Sequence, residues 1–303
     1  MLEPRQQPGH TGRRQPMTVQ NHRAPGSPLL AGLALLASQL SLNAGAAVAK
    51  QLFPAVGVEG VTAYRIGFAA VLMMAIFRPW RTPLTLPQAG SVALYGSVIG
   101  LMNLLIYRAF SHIPMGIAVA IEVCGPLAVA VWSSRRPRDL VAVALAVLGL
   151  YFLLPLPASH GQLARLDPVG IAYAAGAACC WAIYIVIGKR VSVMHGGQSV
   201  AWGMTAGALF IVPLGVWTSG PVLLTPAFMA VGLAIAVMSS ALPYTLEMLS
   251  MRRLSSRTFS MFSSATPALS ALAGMLMLGE HLTASQWLAI ASMVAASALA
   301  TLR

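Results

Sequence analysis

The sequence predicts an all-α membrane protein of ten transmembrane helices, and three observations carry that prediction. Of 303 residues, 57% are hydrophobic and 9% are charged, where a soluble globular protein carries roughly 25% charged residues. That much apolar surface cannot be hidden in one core. Apolar runs close to the roughly 20 residues a spanning helix needs recur ten times, separated by short loops that hold Pro, Gly or charge. The basic residues, finally, fall on alternate loops, as they do when successive spans reverse the chain.

Residues 1–28 are rich in Pro, Gln, Gly and Arg and read as a disordered cytoplasmic tail. The apolar run after them is too long for the core of a signal peptide, so it is read as a retained first helix. The first half, 29–157, holds spans at about 29–49, 60–77, 88–109, 115–134 and 139–157. The second half, 168–302, holds spans at about 168–188, 199–217, 227–250, 258–278 and 283–302. Thr283 and Gln286 form a capping-box pattern at the start of the last.

Placing the amino terminus in the cytoplasm puts fifteen basic residues inside: Arg5, Arg13, Arg14, Arg23, Arg78, Arg81, Arg135, Arg136, Arg138, Lys189, Arg190, Arg252, Arg253, Arg257 and Arg303. Only Lys50, Arg108 and Arg165 fall outside, and Arg65 lies within a span. The bias predicts both termini inside. It also accounts for much of the +12 net charge as a topology signal, so no nucleic-acid partner is implied.

The chain repeats itself. Shifted by 141 positions, LMNLLIYRAFSHIP (101–114) falls on LPYTLEMLSMRRLS, Pro126 on Pro267 and Asp139 on Glu280. Shifted by 139, Lys50 falls on Lys189. Five spans per half is an odd number, so the second half enters the membrane from the opposite side. That is an inverted-topology repeat, an architecture of secondary transporters. Pro126 and Pro267 fall in mid-span, where each removes a backbone hydrogen bond. Matched interruptions point to a central site, though either proline alone could be an ordinary kink.

Ionisable residues inside the spans are few: Arg65, Glu122 and Glu247. At about 1.5 Å per residue, Glu122 lies roughly 10 Å in from the outer end of the fourth span. Arg65 on the second span, Asn43 on the first and Asn103 on the third come out at similar depth. Four polar side chains at one level predict a shared aqueous cavity, since a lone charge in lipid costs several kcal/mol. Arg65 and Glu122 can also satisfy each other as a purely structural pair. Through the repeat, Asn43 falls on Ala182, Arg65 on Met204, Asn103 on Tyr244 and Glu122 on Ser263. A cavity between the halves therefore has one charged wall and one softer wall. It suits a small zwitterion, with carboxylate to Arg65, ammonium to Glu122, and side chain toward Trp181, Tyr184 and Tyr244. Glu122 is also the candidate proton-coupling group, taking a proton and the substrate ammonium in turn. Glu247, within two turns of Arg252 and Arg253, reads as a gate or an interfacial salt bridge. Gly96 and Gly100 form a GxxxG, by default a close helix contact.

Enzyme chemistry finds no support. All six histidines lie in the tail, in loops or at helix ends, and Cys124, Cys179 and Cys180 lie in apolar runs. Neither a metal-ligand spacing, a nucleophile–base pair nor a phosphate loop is present, so no catalytic residue, metal or cofactor is expected. Without a nucleotide site, transport would be secondary.

SSATPALSALAGMLMLGEHLT (263–283) resembles the end motif of the EamA-type repeat of the drug/metabolite transporter superfamily. IPMGIAVAIEVCGPLAVAVWSSRRPRD, LAVLGLYFLLPL, ACCWAIYIVIGKR and ALPYTLEMLSMRRLSSRTFSMFSSATPAL resemble more closely its bacterial inner-membrane exporters of threonine and homoserine. The similarity runs from about residue 35 to 300. It implies ten helices, both termini inside, and export of small hydroxylated amino acids by proton antiport. Relatives in the superfamily carry other metabolites and drugs on the same fold, so a broader exporter stays open, as does a non-transporting scaffold. The short loops, which leave little surface for a partner, argue against the scaffold.

Overall fold

The computed structural model describes residues 28–81, 84–132, 137–153, 166–195, 197–243, 246 and 264–301. The predicted tail up to residue 27 and the candidates Tyr244, Glu247 and Ser263 lie outside the described residues. Among the described residues every regular element is a helix. In chain order these are α1 (Pro28–Val56), α2 (Val58–Phe77), α3 (Leu86–His112), α4 (Met115–Glu122), α5 (Cys124–Trp132), α6 (Pro137–Leu153), α7 (Pro168–His195), α8 (Gly197–Ser219), α9 (Pro226–Ala236), α10 (Thr266–Leu278) and α11 (Ala284–Thr301). Five of the segments are long and apolar enough to cross a membrane, and Met115–Val129, Pro226–Ala241, Thr266–Leu278 and Ala284–Leu299 are shorter apolar helices.

The boundaries follow from capping chemistry. Thr85 opens α3 with a capping box to Gln88, and Thr283 opens α11 the same way: its N–H donates to Gln286 Oε1 at 2.9 Å, and the Gln286 N–H donates to Thr283 Oγ1 at 3.3 Å. These contacts satisfy donors that a helix start leaves orphaned. The first helix runs past Lys50, where the sequence predicts it to end. Lys50 is neutralised by Glu280 at 2.6 Å, so its charge no longer stops the helix. The helix ends instead at Gly57, whose φ of 81° is cheap only without a Cβ.

Two departures from regular helix matter for the site. The predicted fourth span is broken at Val123 into α4 and α5. Pro126, third residue of α5, has no N–H to give the Glu122 carbonyl, so the break falls where Glu122 sits. Pro267 is the second residue of α10. There a proline fits, because the N–H it lacks has no partner in a helix start. After α9 the chain makes a π-helical turn, Val237–Ala241. Pro243, just beyond it, cannot donate to the carbonyls behind it, and first-half side chains fill in. Ser41 Oγ donates to the Met238 carbonyl at 2.8 Å, and Arg65 Nη2 reaches the Ser239 carbonyl at 3.5 Å.

Helices of the two halves interleave. α2 lies along α8, α3 along α7 and α8, α6 along α11, and α1 along α10. The α3–α8 contact is glycine to glycine. A Cβ on Gly96 would sit in the Gly203 backbone, and one on Gly100 would meet Phe210 at 2.8 Å, so these backbones approach closely only because both residues are glycine. The described ion pairs, Lys50–Glu280, Arg108–Glu59 and His112–Asp167, gather at one end of the bundle, around the α3–α4 turn. There Lys50 also donates to the Ile113 carbonyl, and the Met115 N–H at the start of α4 donates to Glu280 Oε2 at 3.0 Å.

Candidate functional site

A cavity of about 300 Å3 lies between the two halves. Asn43 of α1, Arg65 of α2, Asn103 of α3, Glu122 of α4, and Trp181 and Tyr184 of α7 all line it. The structure thus brings together six of the eight residues that the sequence proposes for binding. The other two, Tyr244 and Ser263, lie outside the described residues.

Each polar side chain is placed by its helix, and most are left with spare valence. The Asn43 amide N–H donates to the Gln39 carbonyl at 2.8 Å, and that of Asn103 to the Ile99 carbonyl at 2.9 Å. Both satisfy an amide donor on the carbonyl one turn back and leave the amide oxygen as an acceptor. Glu122 ends α4 and is 7% exposed. The partial negative charge of a helix C-terminus favours a cation there. Arg65 stacks its guanidinium over the Tyr107 ring at 5.1 Å, a cation–π contact that orients the fork. Its Nε is buried without a partner among the described residues.

Arg65 and Glu122 are not an ion pair: neither belongs to the three described pairs. The alternative of a closed structural pair is not what forms; both side chains line the cavity. Arg65 is held instead by Tyr107 and by the carbonyl that the π turn presents. Glu122 has no hydrogen bond among the described residues, and its carboxylate faces the cavity.

The sequence reading missed Gln39, Ser239 and Thr266, which also line the cavity. Gln39 stands four residues before Asn43, hence on the same helix face, and that spacing was a usable signal. Ser239 and Thr266 carry hydroxyls, which are common in apolar helices and easily satisfied by the preceding turn. Their composition gave no signal.

A second, larger cavity of about 830 Å3 lies between α2 and α8. It has nothing to orient a zwitterion. Its hydroxyls are already engaged, Tyr64 by the Leu223 carbonyl at 2.6 Å and Thr205 by the Ala201 carbonyl at 2.9 Å.

Residues 168–302 match the sequence model of the EamA-like transporter family. The threonine/homoserine exporter RhtA of Escherichia coli (strain K12) is 47% identical over 269 residues, covering 88% of this chain and 90% of that protein. RhtA of Salmonella typhimurium (strain LT2) is 46% identical over 271 residues, covering 89% and 90%. The uncharacterized transporter YcbK of Bacillus subtilis (strain 168) is 26% identical over 244 residues, covering 74% and 77%. A crystal structure of a protein 19% identical to this chain superposes with a TM-score of 0.61, covering 91% of this chain and 98% of its own, which shows a shared fold. On the strength of this identity along nearly the whole chain, the chain belongs to the EamA-like transporter family.

Proposed function

We propose that the protein is a secondary active exporter of small amino acids, threonine and homoserine first, in the bacterial inner membrane. One observation carries the reading: an open guanidinium, Arg65, and an open carboxylate, Glu122, share one cavity with two amide acceptors. An α-amino acid presents the opposite pair of charges. Its carboxylate matches the Arg65 fork, and its ammonium matches Glu122 with the Asn43 and Asn103 oxygens. The size agrees, since about 300 Å3 is at the small end of ligand pockets. Relatives at 46% and 47% identity are named for threonine and homoserine.

The proposed frame is ten spans in two inverted five-helix repeats with both termini in the cytoplasm. Besides the charge bias, the packing supports it. Number the spans so that α4 with α5 is the fourth and α9 with its π turn the eighth. Exchanging each span with the one five places away turns the α1–α10 contact into that of α7 with α4 and α5, and α3–α8 into α2–α9. It turns α3–α7 into α1 against α9 and the π turn, and leaves α2–α8 and α6–α11 in place. Tyr244 and Ser263 belong to the second-half wall of the proposed site, and Glu247 to a cytoplasmic gate.

Coupling is proposed as proton antiport, with Glu122 holding either a proton or the substrate ammonium. Mutual exclusion at one carboxylate is what exchange transport requires. The test is counterflow of labelled threonine and homoserine in proteoliposomes of the purified protein, beside a panel of purines and lipophilic drugs. Threonine and homoserine should exchange and the panel should not compete. Exchange of the panel without the two amino acids would refute the substrate assignment.

A further inference from the structure

The proposed carboxylate and ammonium sites leave one part of the cavity unexplained. Gln39 is 5% exposed and lines the cavity one turn of α1 before Asn43, about 6 Å along the helix axis. Unlike Asn43 and Asn103, it does not return its amide to its own helix. Its Oε1 accepts from Thr266 Oγ1 at 3.2 Å, a contact from the first half of the chain to the second. That contact fixes the amide, and its other end has no partner among the described residues. That end is not one of the sealed, unpartnered polar atoms; it belongs to the cavity wall, where it can bond a group that enters.

The ligand group must be neutral and polar. A substrate carboxylate and ammonium make stronger, charge-assisted bonds to Arg65 and Glu122 than to an amide. The one polar group left on threonine or homoserine is the side-chain hydroxyl, which can both donate and accept and so fits an amide beside a hydroxyl. We infer that Gln39, held by Thr266, reads the side-chain hydroxyl of the substrate and sets the preference for hydroxylated over apolar amino acids of the same shape. This rests on the function proposed above and adds the residues that select within it. A site with a polar group to satisfy rejects the analogue lacking its partner far more strongly than an apolar pocket can.

The experiment uses isosteres. Valine replaces the threonine hydroxyl by methyl, and norvaline does so for homoserine. Each is tested as a competitor of labelled threonine counterflow in proteoliposomes of the full chain. Wild-type protein should favour threonine over valine and homoserine over norvaline. Gln39→Met keeps length and flexibility without the amide; it should lower both preferences roughly 5–150-fold, the cost of one unsatisfied buried polar group. Thr266→Val, which replaces the hydroxyl by a methyl, should lower them in the same direction, and Thr266→Ser should keep them. The inference is overturned if folded Gln39→Met and Thr266→Val keep the wild-type ratios, or if the hydroxylated and apolar substrates weaken equally. Failure of wild-type protein to exchange threonine at all would instead remove the functional reading beneath it.

Discussion

Replacing Glu122 by glutamine tests the centre of the proposed mechanism. The exchange keeps size and leaves the residue able to donate and accept, but removes the charge and the titratable proton. The carboxylate makes no ion pair among the described residues, and the native environment is a cavity rather than packed core. Little native structure depends on it, so melting in detergent should stay within about 3 °C of wild type, about 1 kcal/mol for a chain of this size. Function should change far more. A hydrogen bond to a charged group is worth about 1.5–3 kcal/mol, so losing the ammonium contact should raise the KM for threonine roughly 10–150-fold. Export driven by a pH gradient should vanish at every substrate concentration, because no proton is left to exchange. Downhill flux should survive at high substrate. The assay is threonine flux in proteoliposomes with and without an imposed pH gradient, normalised to folded protein. If Glu122→Gln pumps at the wild-type rate with the wild-type pH dependence, Glu122 neither carries the proton nor holds the amine.

Four further outcomes follow from the packing and the charges. Gly96→Ala should lower the melting temperature, because its Cβ would enter the Gly203 backbone and overpacking costs about 1–3 kcal/mol; Gly90→Ala, with open space around it, should leave melting unchanged or raise it by the helix gain of roughly 0.5–1 kcal/mol. Glu280→Ala should destabilise by about 1–3 kcal/mol, and the swap Lys50→Glu with Glu280→Lys should not restore it, since lysine cannot accept the Met115 N–H; denaturation of the purified protein checks both. The Val169 N–H, and then His112 at 2.6 Å, hold the Asp167 carboxyl below the usual carboxylate range. Its stabilising contribution is complete above the unfolded value of about 3.9 and fades as pH falls through the lowered folded value, so the melting difference between wild type and Asp167→Asn should shrink toward zero in acid. Cysteines placed at positions 136 and 253 of a cysteine-free variant should resist an impermeant thiol reagent added to intact cells; labelling there would refute the topology and the inverted repeat.

Much of the site was legible because a membrane makes polar residues conspicuous. Asn43, Arg65, Asn103 and Glu122 stand out in apolar runs, and their depths alone predict one cavity. Helix positions were legible for the same reason, since hydropathy marks each run. The pairing inside the cavity was not. Proximity in depth suggests that Arg65 and Glu122 neutralise each other, but the Tyr107 ring and the π turn claim the guanidinium first, and those are tertiary facts. The π turn was equally hidden, because its consequences arise from Pro243 acting on carbonyls behind it. Helix ends were legible where caps are local, as at Thr283 and Gln286. They were misread at Lys50, whose partner Glu280 lies 230 residues away.

The ion pairs around the α3–α4 turn give the resting molecule a handedness in time. Under the proposed topology they all lie on the outer face, where acidic and basic residues are nearly balanced, while the inner face is overwhelmingly basic. Separating the halves outside means parting Lys50 from Glu280, and the inner face holds few carboxylates to offer in exchange. Only contacts to Glu280 part in that step: the Lys50–Glu280 pair at about 0.2–1 kcal/mol and the Met115 N–H bond at about 0.5–1.5 kcal/mol, so the closed rim is favoured by roughly 1–2 kcal/mol, a 5–30-fold bias. Under the proposed topology and proton exchange, the idle protein is then expected to rest open to the inside, with proton entry from outside slowed by the same factor. Salt weakens exposed pairs, so raising ionic strength on the outer side alone should quicken substrate-free proton entry.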